Sequence, residues 1–299
     1  MRVSRLLCSL LLPLAFLLAA APVVFPAAPA GKVLRFRPNE GDTAVYQHKL
    51  SGRAEVKEEG GQKARLEVRA EATCNVEFLG QTASGDFGLG GAIQPYTVTE
   101  TLDGDETTTQ ASEVAARYVV NNQGRIKSVT WITSDPLLDT EDRGVAVTPD
   151  DIFLLGGAAI LPDKPVKNGD KWSGTVKIPG AVMGEDETIK YDSVLLGQAA
   201  FRGISCEKIK TKAAVSFSAT IESPDGAGTA AVAGKGAGEY VWLFDSARGV
   251  IVSIDGTEKT SITVKITEVE QDLAAVTISG VVNGKTALTE YNGVPIGSK

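Results

Sequence analysis

The sequence predicts a mainly β protein in which two related units of long antiparallel strands form a curved sheet or an open barrel. One short helix is expected to join the two units. Three observations support this prediction: a fifteen-residue alternation of apolar and polar side chains, turn residues that recur between strand-like segments, and a single helix-start pattern near the middle.

The alternation covers residues 64–78. Its apolar members are Ala64, Leu66, Val68, Ala70, Ala72, Cys74, Val76 and Phe78. Every residue between them is polar. Because successive side chains of a strand point to opposite faces, this pattern predicts one buried and one solvated face, which is typical of antiparallel sheets. Cys74 is placed on the buried face.

Turn residues divide the rest of the chain into strands. Gly60 and Gly61 predict a hairpin between a strand at 45–57 and the alternating segment. The other predicted strands are Tyr96–Leu102, Glu106–Val120, Arg125–Ile132, a long strand from Ile204 to Ile221, Tyr240–Phe244 and Val250–Ile254. Strands longer than the usual five or six residues favour a curved sheet.

The segment around Thr148 breaks the β pattern. Thr148 suits an N-cap, Pro149 the first helical position, and two aspartates the first turn. A short helix is therefore predicted from 152 to 160, ending at Leu161-Pro162. It divides the chain into an N-terminal β unit (31–147), a helical connector (148–163) and a C-terminal β unit (164–299).

An internal repeat is predicted around this connector, because three short stretches recur in the same order. The pairs are Asn39-Glu40-Gly41-Asp42 with Lys167-Asn168-Gly169-Asp170, Phe78-Leu79-Gly80-Gln81 with Leu195-Leu196-Gly197-Gln198, and Arg117-Tyr118-Val119-Val120 with Glu239-Tyr240-Val241-Trp242. Hairpins reuse the same residues, so chance matches are the alternative.

Residues 1–30 are predicted to be a signal peptide. Arg2 and Arg5 precede an apolar run, and a tract of alanine and proline follows it, with cleavage expected after Ala30 or, less favourably, after Ala21. Cys8 lies too early in the run to be a lipidated N-terminus. We expect an exported protein (periplasmic, cell-surface or extracellular) with no membrane span after signal removal.

The net charge is −7, so the chain is expected to repel phosphate backbones and not to bind nucleic acid. Two cysteines remain after the signal, Cys74 and Cys206. They could form a disulfide or be buried free thiols, and the sequence leaves both possibilities open.

No catalytic, cofactor-binding or metal-binding residues are predicted. The single histidine, His48, has no nucleophile motif near it, and one histidine with two distant cysteines does not suit zinc. The glycines at 234, 236 and 238 do not fit a phosphate loop, because a strand follows; we interpret them as room for an approaching aromatic ring or backbone. Weak calcium sites remain open at Asp103 and Asp105 and at the acids of 135–142.

Two phrases resemble a family of secreted bacterial β-rich proteins of unknown function. Leu161-Pro162, Pro165-Val166 and Asn168-Gly169-Asp170-Lys171-Trp172 are similar to a phrase that opens the second half of such proteins, and Tyr240-Val241-Trp242-Leu243-Phe244-Asp245 with Gly249 is similar to one of their hairpins. The resemblance implies no functional residue. A more distant likeness is to periplasmic lipoprotein-carrier folds, in which a curved sheet encloses an apolar cavity.

From these observations we expect a non-catalytic exported protein with a binding or structural role, and no enzyme activity. The alternatives are a carrier of an apolar ligand in a β-cavity, which fits the long strands, and a hydrolase that uses carboxylates alone, which the many acids allow. The partner would be a protein or an apolar ligand.

Overall fold

A computed structural model describes residues 31–58, 61, 63–133, 160–182, 185–222, 228–268 and 276–297. The predicted signal peptide, most of the predicted helix and the acids of 135–142 lie outside these residues, so those predictions stay predictions. Ile160, the last residue of the predicted helix, is described and is not helical. Residues Lys32–Lys299 form one compact unit.

Every element described is a β-strand. The strands of the first half are β1 (Thr43–Glu58), β2 (Lys63–Gln81), β3 (Phe87–Ile93), β4 (Tyr96–Leu102), β5 (Asp105–Ala111), β6 (Val114–Val120) and β7 (Ile126–Trp131). Those of the second half are β8 (Lys171–Val182), β9 (Glu185–Phe201), β10 (Ile204–Glu222), β11 (Gly228–Asp245), β12 (Val250–Glu268), β13 (Val276–Tyr291) and β14 (Val294–Pro295).

All these strands belong to one antiparallel sheet. Its order is β7-β6-β3-β2-β1-β13-β12-β11-β10-β9-β8, with β4 and β5 added beside β2 and β14 beside β13. The sheet is not closed, since no hydrogen-bonded pairing joins β7 to β8. The mainly β prediction is confirmed, and the sheet runs without interruption from the first predicted unit into the second through the pairing of β1 with β13.

The strand predictions differ from the structure at several places, and β3, β9 and β13 match none of the predicted segments. The segment Glu106–Val120 was expected to be one strand, but it is two, β5 and β6, separated at Ser112 and Glu113. After that break β6 pairs with β3 whereas β5 pairs with β4. Strands β11 and β12 are also far longer than the predicted segments at 240–244 and 250–254.

The hydrophobic core lies at one end of the sheet. Antiparallel pairing brings the start of β1 and the ends of β2, β11 and β13 to this end, and the alternate side chains there are buried. Trp242, Phe244 and Tyr118 are the largest of its fully buried side chains. We call this region the packed end.

Two extended segments complete the packed end. The first carries Leu34 and Phe36 and the second carries Ile160 and Leu161, all buried in the same cluster. A backbone bridge between Lys32 and Val166 joins the segments. Phe36 contacts the rings of Phe78 and Phe87 at centroid distances of 6.1 and 5.9 Å, a favourable range for aromatic pairs.

The two halves of the chain begin with the same turn. Asp42 accepts a hydrogen bond from the backbone N–H of Asn39 (2.9 Å), and Asp170 accepts one from that of Lys167 (2.8 Å). Each turn lies against a β-bulge of another strand. The first turn lies against the bulge at Leu79 in β2, and the second against the bulge at Leu196 in β9. This geometry agrees with the predicted repeat, whose origin by duplication stays a prediction.

The glycine after each bulge has a positive φ, which is 96° for Gly80 and 117° for Gly197. A side chain in its place would meet Glu40 or Asn168 of the preceding turn. The glycine at this position is therefore required both by the backbone conformation and by the close approach of the turn.

No helix among the described residues is long and apolar enough to cross a membrane.

The paired turns give a test of how the packed end is held. Asp42 is buried and also accepts hydrogen bonds from Tyr291 Oη (2.6 Å) and Asn292 Nδ2 (2.8 Å), whereas Asp170 is exposed. We expect Asp42→Ala to lower the free energy of unfolding by about 3 kcal/mol and Asp170→Ala by about 1 kcal/mol. Urea unfolding measures both; equal losses would contradict the assigned role of Asp42.

Candidate functional site

The face of the sheet that carries the core continues beyond the packed end along the far halves of the strands. We call this continuation the inner face. Its described positions are Leu50, Gly52, Ala54 and Val56 of β1, Leu66 of β2, Ala213 and Val215 of β10, Gly234, Gly236 and Gly238 of β11, Gly256, Glu258, Thr260 and Ile262 of β12, and Ile278, Gly280, Val282 and Gly284 of β13.

The inner face is partly shielded from water, although every described element belongs to the same sheet. Along β1 and β13 its positions are half-buried, while the residues between them, such as Arg53 and Asn283, are exposed. The inner face is therefore a half-buried and largely apolar surface.

Small residues dominate this surface. Seven of its positions are glycines, which lie on the adjacent strands β1, β13, β12 and β11, and Gly256 lies directly opposite Gly284. In strands, glycine marks places where another group approaches the backbone closely. This agrees with our interpretation of the alternating glycines in the sequence.

The approaching groups are Tyr240 and Glu258. The Tyr240 ring lies over Gly256 and its hydroxyl over Gly238, so that a Cβ at either glycine would overlap it. The Glu258 carboxylate lies over Gly236 in the same way. Tyr240 Oη donates a hydrogen bond of 2.6 Å to Glu258 Oε2.

Glu258 is a carboxyl group in a largely apolar setting. Burial raises its pKa, and the hydrogen bond from Tyr240 only partly offsets this effect. No described group bonds its second oxygen, Oε1.

His48 borders the same surface from β1. Its Nδ1 lies 2.9 Å from the hydroxyl of Thr286, and its Cε1 lies beside Gly284. Nε2 is buried and has no hydrogen-bond partner. Burial lowers the pKa of His48 to about 4, so the ring is neutral at pH 7.

No sequence pattern indicates Glu258 as a site residue. It stands in the run Thr257-Glu258-Lys259-Thr260, in which both faces carry polar side chains, so the alternation does not show that it points inward. His48 was assigned no role from the sequence. The structure places it beside the glycine pair Gly256–Gly284, which also lies under Tyr240.

The other residues singled out in the sequence have structural partners. Trp242 Nε1 donates to Thr211 Oγ1 (2.9 Å), and Trp172 Nε1 donates to the Ile160 carbonyl (2.8 Å). Cys74 and Cys206 are both buried and do not form a disulfide. Asp103 lies in a two-residue hairpin turn and accepts the Arg65 N–H (2.7 Å).

The described residues contain no group of three or more metal-ligating side chains. Their largely buried acids are each held separately: Asp42 by Tyr291, Asp245 by Arg248, Glu207 by Lys32 and Glu258 by Tyr240.

The opposite face of the sheet is charged. A groove of about 750 Å³ crosses it next to Lys49, Glu71, Asp255 and Lys285. Lys49 pairs with Glu71 at 2.7 Å, and both side chains are more than half exposed. Exposed ion pairs of this kind indicate a solvated surface.

A scan against models of protein families finds no match, and neither does a search of curated proteins. Among solved structures the chain is similar to lipovitellin, in a structure described as "lipid-protein interactions in lipovitellin". The TM-score is 0.44, the identity is 12%, and the match covers 88% of this chain. The chain spans only 26% of that lipovitellin chain.

Two Pseudomonas aeruginosa structures also match. For OccK7 (OpdD) the TM-score is 0.24 and the identity 6%, and the match covers 83% of this chain and 99% of that chain. For OpdQ the TM-score is 0.19 and the identity 8%, and the match covers 83% of this chain and 98% of that chain. At these TM-scores the three likenesses define neither fold nor function.

The two facing glycines of the inner face, Gly256 and Gly284, allow a matched pair of substitutions. A Cβ at Gly256 would overlap the Tyr240 ring, whereas one at Gly284, directly opposite, would make an ordinary contact of 3.5 Å with His48 Cε1. We expect Gly256→Ala to cost about 2 kcal/mol of unfolding free energy and Gly284→Ala less than about 0.5 kcal/mol. In a protein that already carries Tyr240→Ala, the costs of Gly256→Ala and Gly284→Ala, measured by thermal unfolding, should become equal. If Gly256→Ala is still the more costly of the two in that background, the overlap with the Tyr240 ring is not the cause.

The buried imidazole predicts a pH dependence of stability. Between about pH 6.5 and 4 the unfolded chain protonates His48 while the folded chain does not, so stability falls as the pH falls through this window. The loss approaches about 3 kcal/mol at pH 4. Urea unfolding of the native protein and of His48→Asn should diverge in their pH profiles there, with the variant flatter; parallel profiles would refute the prediction.

Proposed function

We propose that this is an exported, non-catalytic binding protein that holds an apolar ligand on the inner face of its sheet. The observation that supports the proposal is the half-buried apolar inner face, to which no second layer is added by the described residues. Export is part of the proposal because residues 1–30 have the pattern of a secretory signal.

The physical argument rests on the cost of exposed apolar surface. Contiguous apolar patches on soluble proteins commonly mark binding sites. On the inner face such positions extend over four strands, with Val56, Ile278 and Ile262 side by side in one row. A ligand that covers this row removes apolar surface from water, and burial contributes about 25 cal/mol per Å².

The shape of the surface favours a ligand over another protein element. Glycines at alternate positions remove side-chain volume and leave the backbone accessible, so a slender molecule lies close to the sheet. The charged opposite face keeps the outside of the sheet solvated. A sheet with one apolar and one charged face is common in antiparallel proteins, and it is compatible with a carrier of an apolar ligand.

A neutral apolar fluorophore, N-phenyl-1-naphthylamine, tests the proposal. We expect it to bind the native protein with an increase in fluorescence, and Ile278→Asp to weaken binding at least tenfold, because a short carboxylate in an apolar row is desolvated by the bound molecule. The matched control is Val281→Asp on the same strand, which faces outward and is already 37% exposed.

Circular dichroism checks that both variants keep their strand content. Equal binding by Ile278→Asp and Val281→Asp would remove the inner face as the site. No binding by the native protein would overturn the proposal.

A further inference from the structure

The outer face of the sheet, which lies opposite the inner face, is unevenly charged. On β1 and β2 its basic and acidic side chains pair across the strands: Lys49 with Glu71 (2.7 Å), Arg53 with Glu67 (3.1 Å) and Lys63 with Glu55 (2.9 Å). From β8 to β12 the same face carries mainly lysines. The whole chain has 37 acidic and 30 basic residues, so this local excess of lysine is opposite to its composition.

Two neighbouring rows of side chains on the outer face of β8 to β12 contain lysines and no acid. We call these two rows the lysine face. From β8 to β12 they are Thr175, Lys190, Ala214, Ala237 and Lys259, and then Lys177, Thr188, Ser216, Lys235 and Ser261. All four lysines are exposed, and none of them forms an ion pair with an acid that the structure describes.

The positive charge continues into the next row toward the packed end. That row contains Asp192 and Glu239, but Glu239 already pairs with two lysines, Lys210 at 2.7 Å and Lys212 at 3.1 Å. These two lysines and Lys171 line a hollow of about 440 Å³, in which Asp192 is the single acid among the lining residues. The surroundings of the lysine face therefore do not neutralise it.

The usual structural roles of surface lysines do not account for this arrangement. Lysine often protects the edge of a sheet from pairing, but Lys190, Lys235 and Lys259 lie on strands that are paired on both sides. Solvation does not require an excess of one sign, since charges of both signs solvate the same face on β1 and β2. Like charges repel one another, so an anionic partner would offset a cost that the isolated protein bears.

The lysines form a two-dimensional array. Lys190 and Lys259 are three strand spacings apart in one row, and so are Lys177 and Lys235 in the other, which is about 14 Å. The two rows are about 7 Å apart along the strands. The side chains between the lysines are short, so all four ammonium groups can contact one plane of anionic groups. A single polyanionic strand follows a line and meets fewer of them.

We propose that the lysine face docks this protein onto a lipid surface that carries anionic phosphate headgroups. The attraction is electrostatic, and each lysine close to such a surface strengthens binding about fivefold. Because the chain as a whole is negatively charged, its other surfaces are not attracted, and docking leaves the inner face free. The inference goes beyond the proposed function, since it concerns the outer face and does not depend on an apolar ligand.

Sedimentation with lipid vesicles tests the inference. The vesicles consist either of phosphatidylcholine alone or of phosphatidylcholine and phosphatidylglycerol in equal amounts. We expect the native protein to bind the anionic vesicles at least tenfold more tightly than the neutral ones. Raising the ionic strength from about 0.1 M to 1 M shortens the screening length from about 10 Å to 3 Å and should abolish this difference.

A triple variant locates the interaction. Lys190→Gln, Lys235→Gln and Lys259→Gln together should weaken binding to the anionic vesicles at least thirtyfold. The matched control combines Lys49→Gln, Arg53→Gln and Lys63→Gln, which removes the same charge from the same face where each side chain is paired with an acid. It should weaken binding less than threefold. The two triple variants have the same net charge, so a difference between them reflects the position of the lysines.

A single variant keeps the test valid if the triple variant unfolds. Lys235→Glu reverses one charge of the lysine face and should weaken binding at least tenfold. Circular dichroism checks that each variant keeps its strand content.

The outcomes separate this inference from its alternatives. Equal binding to neutral and anionic vesicles, or no binding to either, would refute it, and equal weakening by the two triple variants would show that net charge alone controls binding. Duplex DNA at the same phosphate concentration should not displace the protein from the vesicles; displacement would assign the lysine face to a linear polyanion instead of a lipid surface. Failure of N-phenyl-1-naphthylamine to bind would contradict the proposed function and leave this inference intact.

Discussion

A sheet whose described elements form a single layer has no second sheet or helix layer to cover its apolar face, and the rest of the structure depends on this constraint. At the packed end the problem is solved with large side chains and two extended segments, which bury Trp242 and Phe244 completely. Along the far halves of the strands the same face carries small side chains and is only half-buried. The core and the candidate site are thus two regions of one continuous surface, and they differ in the size of their side chains.

The glycines determine where one region changes into the other. A residue with a side chain at Gly256 or Gly238 would force Tyr240 off the sheet and break its hydrogen bond to Glu258. The low volume of these positions therefore both opens the inner face and fixes its polar group. Glycine also weakens a strand, and long pairings along the whole of β10, β11 and β12 offset that cost with continuous backbone hydrogen bonds.

The sequence predicted the parts of the fold that depend on local patterns. The alternation at 64–78 gave β2 and the buried position of Cys74, and Asp103-Gly104 gave the turn between β4 and β5. It did not predict the length of β12, because the middle of that strand, residues 257–260, carries polar side chains on both faces. The pairing of β1 with β13 joins segments more than two hundred residues apart, and no local pattern encodes such a contact.

The same reasoning explains why the candidate site was not predicted. Tyr240 and Glu258 come from consecutive strands and His48 from a strand distant in sequence, and each of them alone has an ordinary structural interpretation. Only the glycines at 234, 236 and 238 indicated that something approaches the strand, and the structure shows this to be Tyr240 and Glu258. A carboxyl group that a tyrosine holds over bare backbone, at the border of an apolar surface, is costly to maintain in a protein with a purely structural role. We regard that cost as the strongest physical reason to look for a ligand there.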